Sequence, residues 1–374
     1  MEQNHSSTEP VGVSRVVVYS SSSTALALAA CLLLIVVGVL GNGATVGALA
    51  MSRRLRANAT SVFVLSLCLT DLLFCAFNLP ITAVRFAYQR WTLGETLCQL
   101  FPLFFYMNVA ASLFNMTAVT INRYVLIAHY GAYDRIYRPR NVALMILFCW
   151  LFPLGLLLPS LFGVWGRFGY KAQTFSCTVL EDESGGSPKK FFFLLGFFLP
   201  CLVIVCCYGR IFCVVRNSRA ALGRHIRRES LAAQSAHRDE QSLTRMILAI
   251  FIAFICCYLP LMLVNVLDDD HSMTDVHVIA SILAWSASVV NPFVYGFMSQ
   301  RYRQAYKVLL FRLCPSAGQF ASSSATDRKK TSTSNERRSS ITVSTLHGVM
   351  MTSISSTVVD PSSSTPQAGD GGKL

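Results

Sequence analysis

The sequence has 374 residues, of which 53% are hydrophobic and only 14% are charged, and its formal net charge is +13. Ordinary soluble domains are about 25% charged, so this composition argues against both a soluble globule and a largely disordered chain. The positive charges are spread over several short segments instead of forming one patch, which argues against binding of nucleic acid.

The chain begins with a polar segment, residues 1–23, that has no basic stretch followed by a short apolar core. It therefore does not resemble a cleavable signal peptide, and we expect an extracellular tail. Asn4-His5-Ser6 forms a glycosylation sequon, so Asn4 is the predicted glycosylation site.

Seven long segments with almost no charge follow the tail. A helix that crosses the hydrocarbon of a membrane needs about 20 apolar residues, and each segment is close to this length or exceeds it. The sequence therefore predicts an all-α membrane protein, a bundle of seven transmembrane helices. The segments are residues 16–52, 57–84, 96–122, 141–166, 191–209, 246–267 and 276–300.

The basic residues between these segments predict the orientation in the membrane. The connections after the first, third, fifth and seventh segments hold 19 lysines and arginines, whereas the tail and the other three connections hold 7. Cytoplasmic loops are the ones enriched in Lys and Arg. We therefore expect a multi-pass plasma-membrane protein with its N-terminus outside.

Most of the 13 cysteines lie in or beside the apolar segments, where Cys behaves as a small hydrophobic residue. No acidic or histidine partners stand at metal-binding spacing, so we expect no structural metal. Cys98 and Cys177 are the two on the extracellular side, where the compartment is oxidising, and we predict a disulfide between them.

Residues 300–313 alternate apolar and basic residues at helical spacing. We predict a short amphipathic eighth helix in the membrane interface, with Tyr302, Tyr306, Leu309 and Leu310 facing lipid. Cys314 follows directly and is the predicted palmitoylation site. The seven-helix membrane domain with this eighth helix would span residues 24–313, and the Ser/Thr-rich residues 314–374 would form a disordered cytoplasmic tail.

Asp71 is the one acidic residue in the middle of an apolar segment, and a carboxylate at that depth must take up a proton or bind a cation. Four further oxygen-bearing side chains lie at similar depth. Such ligands suit a small hard cation, so a sodium site is predicted, with a protonated Asp71 in a hydrogen-bond network as the alternative. The four are Asn108, Ser112, Ser288 and Asn291.

Asn122-Arg123-Tyr124 ends the third segment at the cytoplasmic face. Arg123 keeps its charge and needs a partner, and we expect an ion pair with Glu240 that holds the third and sixth helices together. The alternative is an arginine that merely extends to the interface.

Two prolines give the sixth and seventh helices points at which to bend. Asn291-Pro292-Phe293-Val294-Tyr295 lies near the inner end of the last segment, and we expect the Tyr295 hydroxyl to swing toward Tyr208 on the fifth helix. Pro260 would kink the sixth helix beside an aromatic lever, Tyr258.

Taken together, the motifs resemble those of the rhodopsin-like family of G protein-coupled receptors, one per helix and in order. Two positions depart from the family pattern. The family usually has an acidic residue where Asn122 stands and a tryptophan where Tyr258 stands. The matching residues are Gly41, Asn42, Asp71, Trp91, Cys98, Arg123, Trp150, Cys177, Pro200, Tyr208, Phe254, Cys257, Pro260, Asn291, Pro292 and Tyr295.

The resemblance implies a ligand pocket in the extracellular half of the bundle. Phe105 stands where amine receptors of the family carry an aspartate, so an amine ligand is not expected. The lining is aromatic with basic groups at its mouth, which suits a lipid or another anionic amphiphile, unless these side chains serve only helix packing. The predicted pocket residues are Arg85, Phe101, Phe105, Tyr106, Tyr258, Asn265, His277 and Trp285.

The resemblance also implies the partners. We expect coupling to a heterotrimeric G protein, of the Gi/o class by family habit, and binding of receptor kinases and arrestin to the tail. Residues 121–124, 165–169 and 302–307 resemble insect receptors of barrier-forming glia, with receptors of guided cell migration as the alternative. No catalytic motif is present, and the competing classes are a transporter or ion pathway and an adhesion protein.

Overall fold

A computed structural model describes residues 19–182, 185–222, 231–267 and 273–313. Within these ranges seven helices are long and apolar enough to cross a membrane. They are α1 (Ser21–Met51), α2 (Ala59–Tyr88), α3 (Glu95–Ala128), α4 (Pro139–Leu161), α5 (the consecutive segments Lys189–Phe193, Leu194–Phe198 and Leu199–Leu222), α6 (Leu231–Leu267) and α7 (Thr274–Met298). The predicted seven-helix bundle is confirmed.

Shorter elements connect the long helices. Short helices at Arg53–Arg56 and Tyr130–Ile136 follow α1 and α3 on the cytoplasmic side. An antiparallel hairpin, β1 (Arg167–Lys171) and β2 (Ser176–Leu180), lies between α4 and α5, with Arg167 paired to Leu180. The last described element is α8 (Gln300–Leu313), which has the bounds predicted from its amphipathic pattern.

Local sequence explains where helices begin and where they are irregular. α1 begins after Ser20, whose side chain accepts a hydrogen bond from the Ser23 backbone N–H and so satisfies one free donor of the first turn. Pro80 and Pro200 each follow a π-helical turn, at Phe74–Asn78 and Leu194–Phe198. Proline lacks a backbone N–H and crowds the preceding turn, and the wider π turn accommodates it without ending the helix.

The polar residues of the bundle face inward, and large apolar side chains face outward, as expected of a protein surrounded by lipid. Leu40 on α1 and Phe297 on α7 are 68% and 78% exposed. One core cluster fills the cytoplasmic half around Leu67, Met116 and Met246. A second fills the extracellular half, where it includes Phe74, Phe86 and Trp285.

The structure corrects two details of the sequence interpretation. The first helix starts at Ser21, so the boundary after residue 23 falls inside α1. The predicted lipid-facing side of α8 is partly wrong, because Tyr302 and Leu309 are buried against the bundle while Leu310 is 61% exposed. Tyr302 stacks on Tyr295 of α7, and this contact turns that face of α8 inward.

Candidate functional site

The extracellular end is covered by the hairpin. A disulfide joins Cys98 at the start of α3 to Cys177 on β2, with the two Cα atoms 5.2 Å apart, so the predicted pairing is confirmed. Tyr19, just before α1, packs against Phe86 of α2 and Phe175 of the hairpin turn, with ring centroids 6.1 and 5.3 Å away. The hairpin and the start of α1 therefore meet above the bundle.

The predicted pocket aromatics lie together below this cover. Phe105 is at the centre of the cluster, with ring centroids 5.5 Å from Phe74 and 5.7 Å from Phe101. On the opposite side Trp285 lies 6.0 Å from Phe86. The rings contact one another directly, so they form the apolar floor and walls of the extracellular half.

Arg85 is the cationic group of this region. Its Nη1 donates a hydrogen bond of 2.7 Å to the carbonyl of Thr174 in the hairpin, and its guanidinium lies 4.4 Å from the centroid of the Phe86 ring. Its Nε atom is buried and has no hydrogen-bond partner among the described residues. Nearby, the Tyr106 and Thr178 hydroxyls hydrogen-bond over 2.8 Å.

Two other predicted pocket residues differ in environment. His277 is buried near the start of α7, whereas Asn265 is exposed near the end of α6. Asp275, the second residue of α7, accepts hydrogen bonds from Ser20 and Ser23. The first turn of α7 is therefore tied to α1 rather than left open to the pocket.

The predicted cation ligands meet in one cavity of about 10 Å³ between α2, α3, α6 and α7. Asn291 Nδ2 donates to Asp71 Oδ2 over 2.6 Å, and Ser112 Oγ donates to Oδ1 over 3.3 Å. Asn108 and Ser288 also line the cavity, and the buried Asn108 Oδ1 has no hydrogen-bond partner within the described chain. The space is about that of one water molecule or one small cation.

Arg123 is fully buried at the cytoplasmic end of α3 and contacts α6. Its Nε and Nη2 atoms lie 3.3 and 3.1 Å from Thr244 Oγ1, to which both donate. Tyr208 of α5 donates to the Thr244 backbone carbonyl over 3.4 Å. Thr244 thus joins α3, α5 and α6. The side chain of Glu240 lies outside the described residues, and its ion pair with Arg123 stays a prediction.

Asn122 makes different contacts from those of its neighbour. Its Oδ1 accepts from Thr60 Oγ1 of α2 over 2.6 Å, and its Nδ2 donates to the Tyr133 hydroxyl over 3.1 Å. Tyr133 belongs to the short helix Tyr130–Ile136, so Asn122 connects α3 to α2 and to that helix. Tyr124, the third residue of the motif, hydrogen-bonds with His129 over 3.1 Å.

The inner end of α7 packs on α8. The rings of Tyr295 and Tyr302 are stacked, with centroids 5.1 Å apart, and Tyr295 is fully buried. Tyr306 of α8 hydrogen-bonds with Thr45 of α1 over 2.8 Å. Burial raises the pKa of Tyr306 to about 12, and the bond to Thr45 partly offsets that effect. Pro292 lies within α7, one turn above Tyr295.

Some predicted sites lie outside the described residues, namely Asn4 and Cys314.

Other contacts were missed by the sequence analysis. Thr244 gives one signal in retrospect, since it stands four residues after Glu240 and therefore on the same helix face. Trp150 Nε1 donates to Ser66 Oγ over 3.0 Å between α4 and α2, and nothing in the sequence pairs these two residues.

The sequence matches the family described as 7 transmembrane receptor (rhodopsin family) over residues 41–295. Protein trapped in endoderm-1 of Drosophila melanogaster is 42% identical over 77% of this chain and 78% of its own length. The G-protein coupled receptor moody of Drosophila pseudoobscura pseudoobscura is 35% identical over 86% of this chain, and the match spans 59% of that longer protein.

A more distant relative is the human melatonin receptor type 1B, which is 32% identical over 74% of this chain and 76% of its own length. Among solved structures, squid rhodopsin superposes with a TM-score of 0.68, covering 79% of this chain and 87% of that chain at 21% identity. This structural likeness supports the fold. The named insect receptors are the group that the motifs indicated.

Proposed function

The chain belongs to the rhodopsin family of seven-transmembrane receptors, which signal to G proteins from the plasma membrane, and we propose that its ligand is an anionic amphiphile bound at Arg85. Because the chain belongs to this receptor family, we set aside the transporter and adhesion classes that the sequence analysis left open. Family membership alone does not identify the ligand, the G-protein subtype, an allosteric cation or the physiological role.

The observation that carries the ligand class is the environment of Arg85. Arg85 is half-buried, with its Nε atom fully buried, and burying a charge is costly unless it is paired and hydrogen-bonded. The Arg85 guanidinium donates a hydrogen bond to one backbone carbonyl and lies close to one aromatic ring. No carboxylate pairs with it among the described residues. A ligand carboxylate or phosphate would supply the missing counter-charge and bind the guanidinium through two N–H groups.

The rest of the ligand would contact the aromatic cluster. Phe105 is half-buried, whereas Phe101 and Trp285 are each 3% exposed and pack against neighbouring rings, so the ligand body would lie against Phe105. None of the three brings a carboxylate that would pair with an amine. Apolar walls with few polar groups are typical of small-molecule sites. A charged head at Arg85 with an acyl or polycyclic body below it therefore fits the distribution of charge and apolar surface.

The test uses cells that express the full chain and a reporter of G-protein dissociation for the Gi/o, Gs, Gq and G12/13 classes. The probes are oleate and oleoyl lysophosphatidate, with oleoyl glycerol as the uncharged comparison. We expect an anionic probe to activate Gi/o, and Arg85→Gln to weaken its potency at least tenfold. Arg90→Gln, at an exposed arginine just beyond α2, is the matched control and should leave potency unchanged.

Equal potency at Arg85→Gln and wild type, or equal activation by oleoyl glycerol, would contradict the ligand proposal. Activation of another subtype with no Gi/o response would contradict the transducer proposal alone. Phosphorylation of the Ser/Thr-rich residues 314–374 and subsequent arrestin recruitment complete the proposed signalling path, and a tail truncation should abolish recruitment while G-protein activation persists.

The proposed cation is sodium at Asp71. The fit rests on the donor set: one carboxylate, several neutral oxygens and the buried Asn108 Oδ1, which has no protein partner among the described residues. Small hard cations prefer such oxygen ligands. When bound, the cation would neutralise Asp71 and hold α2, α3 and α7 together.

The proposed physiological role follows the insect relatives. A role like that of moody, in barrier-forming glia and actin organisation, is the main proposal, and a cell-migration role like that of trapped in endoderm-1 is the alternative. The chain is 35% identical to moody and 42% identical to trapped in endoderm-1, so sequence identity does not decide between the two roles. Expression of this chain in flies that lack one or the other relative decides between them, since rescue of the glial barrier or of cell migration identifies the role.

A further inference from the structure

Tyr258 lies in the cavity that holds Asp71, although the sequence placed it in the ligand pocket. The cavity wall formed by α6 consists of Tyr258 and Phe254, opposite Asp71 of α2 and Asn108 of α3. Tyr258 is 5% exposed, so nearly all of its surface is in contact with the protein. This position brings a sixth oxygen-bearing side chain to the cavity, and among the described residues it is the one that α6 contributes.

The Tyr258 hydroxyl differs from those of Tyr208 and Tyr306, each of which has a hydrogen-bond partner. The buried hydroxyls of Tyr295 and Tyr302 have no partner among the described residues either, but these two rings stack on each other where α7 meets α8 and do not line the cavity. The Tyr258 hydroxyl has no hydrogen-bond partner within the described residues, and the centroid of its ring lies 4.4 Å from that of Phe254. Because Tyr258 lines the cavity and its hydroxyl makes no hydrogen bond within the described residues, this oxygen can meet an occupant of the cavity.

We propose that the phenolic oxygen of Tyr258 is a direct ligand of the cation at Asp71, so that the cation links α6 to α2. This inference rests on the proposed sodium site and assigns it one further residue. The phenol keeps its proton and coordinates through a lone pair, as other neutral oxygens do. Tryptophan, the usual family residue here, has only an N–H donor and offers no such ligand.

The link has a consequence for activation. α6 also carries Thr244, the partner of Arg123, at its cytoplasmic end. A cation coordinated from both α2 and α6 holds α6 in its inward position, and outward movement of α6 must break that coordination. By thermodynamic reciprocity, a ligand that favours the outward position lowers the affinity for the cation.

The test is a thermal unfolding titration of the purified full-length receptor in detergent. Sodium chloride replaces choline chloride at constant ionic strength, so that a response to sodium is separated from a response to salt. We expect the Tm of the wild type to rise with sodium. For Tyr258→Phe, which keeps the ring contact with Phe254, the midpoint should move to about tenfold higher sodium. Asp71→Asn should show no response.

Tyr88→Phe is the matched control, because it removes the same hydroxyl from a tyrosine that is 62% exposed at the end of α2, and it should titrate like the wild type. If Tyr258→Phe unfolds without a cooperative transition, Tyr258→Trp takes its place and should likewise need more sodium. An unchanged midpoint in the variant, with Asp71→Asn unresponsive, overturns the Tyr258 proposal but leaves the cation site standing. No response to sodium in the wild type overturns both.

Discussion

Replacing Thr244 with valine should raise the ligand-independent activity of the receptor. Thr244 Oγ1 accepts hydrogen bonds from two nitrogens of the fully buried Arg123, at 3.3 and 3.1 Å. Valine has nearly the same shape as threonine but no acceptor. The substitution therefore removes the α6 end of this contact while leaving the Arg123 side chain in place for its expected contact with a G protein.

The magnitude follows from the charge on the donor. A hydrogen bond to a charged group contributes about 1.5–3 kcal/mol, and the two donors share one oxygen, so we count the contact once at the lower value. About 1.4 kcal/mol corresponds to a factor of ten in an equilibrium constant. A resting population of roughly 1% in the active state would thus rise to about 10%.

The assay is basal G-protein dissociation in cells with matched surface levels of each variant. Thr244→Ser keeps the hydroxyl and should stay near the wild-type level. Arg123→Ala should lose the signal, because in the proposed mechanism Arg123 is the side chain that is released to contact the G protein. Basal activity of Thr244→Val equal to that of Thr244→Ser would refute the view that this hydroxyl restrains α6.

Two further predictions concern the stability of the bundle and are measured by thermal unfolding. A methyl group added at Gly38 of α1 would overlap Cys75 of α2, whereas a methyl group at Gly43 would meet nothing within 4 Å. Gly38→Ala should therefore lower the stability of the bundle by about 1–3 kcal/mol and lower its Tm. Equal Tm values for Gly38→Ala and Gly43→Ala would contradict this packing. The disulfide joins two cysteines that are 79 positions apart in the sequence, and its loss in Cys98→Ser should lower the stability by about 2–5 kcal/mol. Cys177→Ser should have the same effect. Unequal losses would mean that one cysteine has another role.

The sequence was sufficient for the architecture because the membrane makes one property dominant. A spanning helix must be long, apolar and internally hydrogen-bonded, so segment length and charge placement located all seven helices. The ends were less well placed, since α1 begins at Ser21, inside its apolar segment, and α3 extends to Ala128, beyond the end of its own segment. Beyond the hydrocarbon, charged residues continue a helix as readily as they end it.

The site was predicted in part, and the difference lies in how each contact is encoded. The oxygen-bearing residues around Asp71 were found because a polar residue at membrane depth is conspicuous. The partners Thr60 and Thr244 were not, because threonine is common at helix ends and nothing in the sequence marks its hydroxyl as an acceptor or donor for a distant residue. Helix rotation and tilt determine such contacts, and these depend on packing of the whole bundle.

Asn122 precedes Arg123 in the sequence, but its side chain contacts other elements of the fold. Its amide is engaged by Thr60 and Tyr133 and brings no charge to the neighbouring guanidinium. Thr244 on α6 does contact that guanidinium, and the proposed cation contact at Tyr258 would add a second restraint on the same helix.

These two positions on α6 are related by helix geometry. Thr244 and Tyr258 are 14 residues apart, which corresponds to nearly four turns and about 21 Å along one face. The segment between them contains neither proline nor glycine, so it should move as one rigid piece. Because the two contacts share no atoms and lie far apart, their losses should add in free energy. In sodium-containing medium, the increases in basal activity of Thr244→Val and Tyr258→Phe should therefore multiply in the double variant. A double variant no more active than Thr244→Val would show that the two contacts do not restrain the same movement.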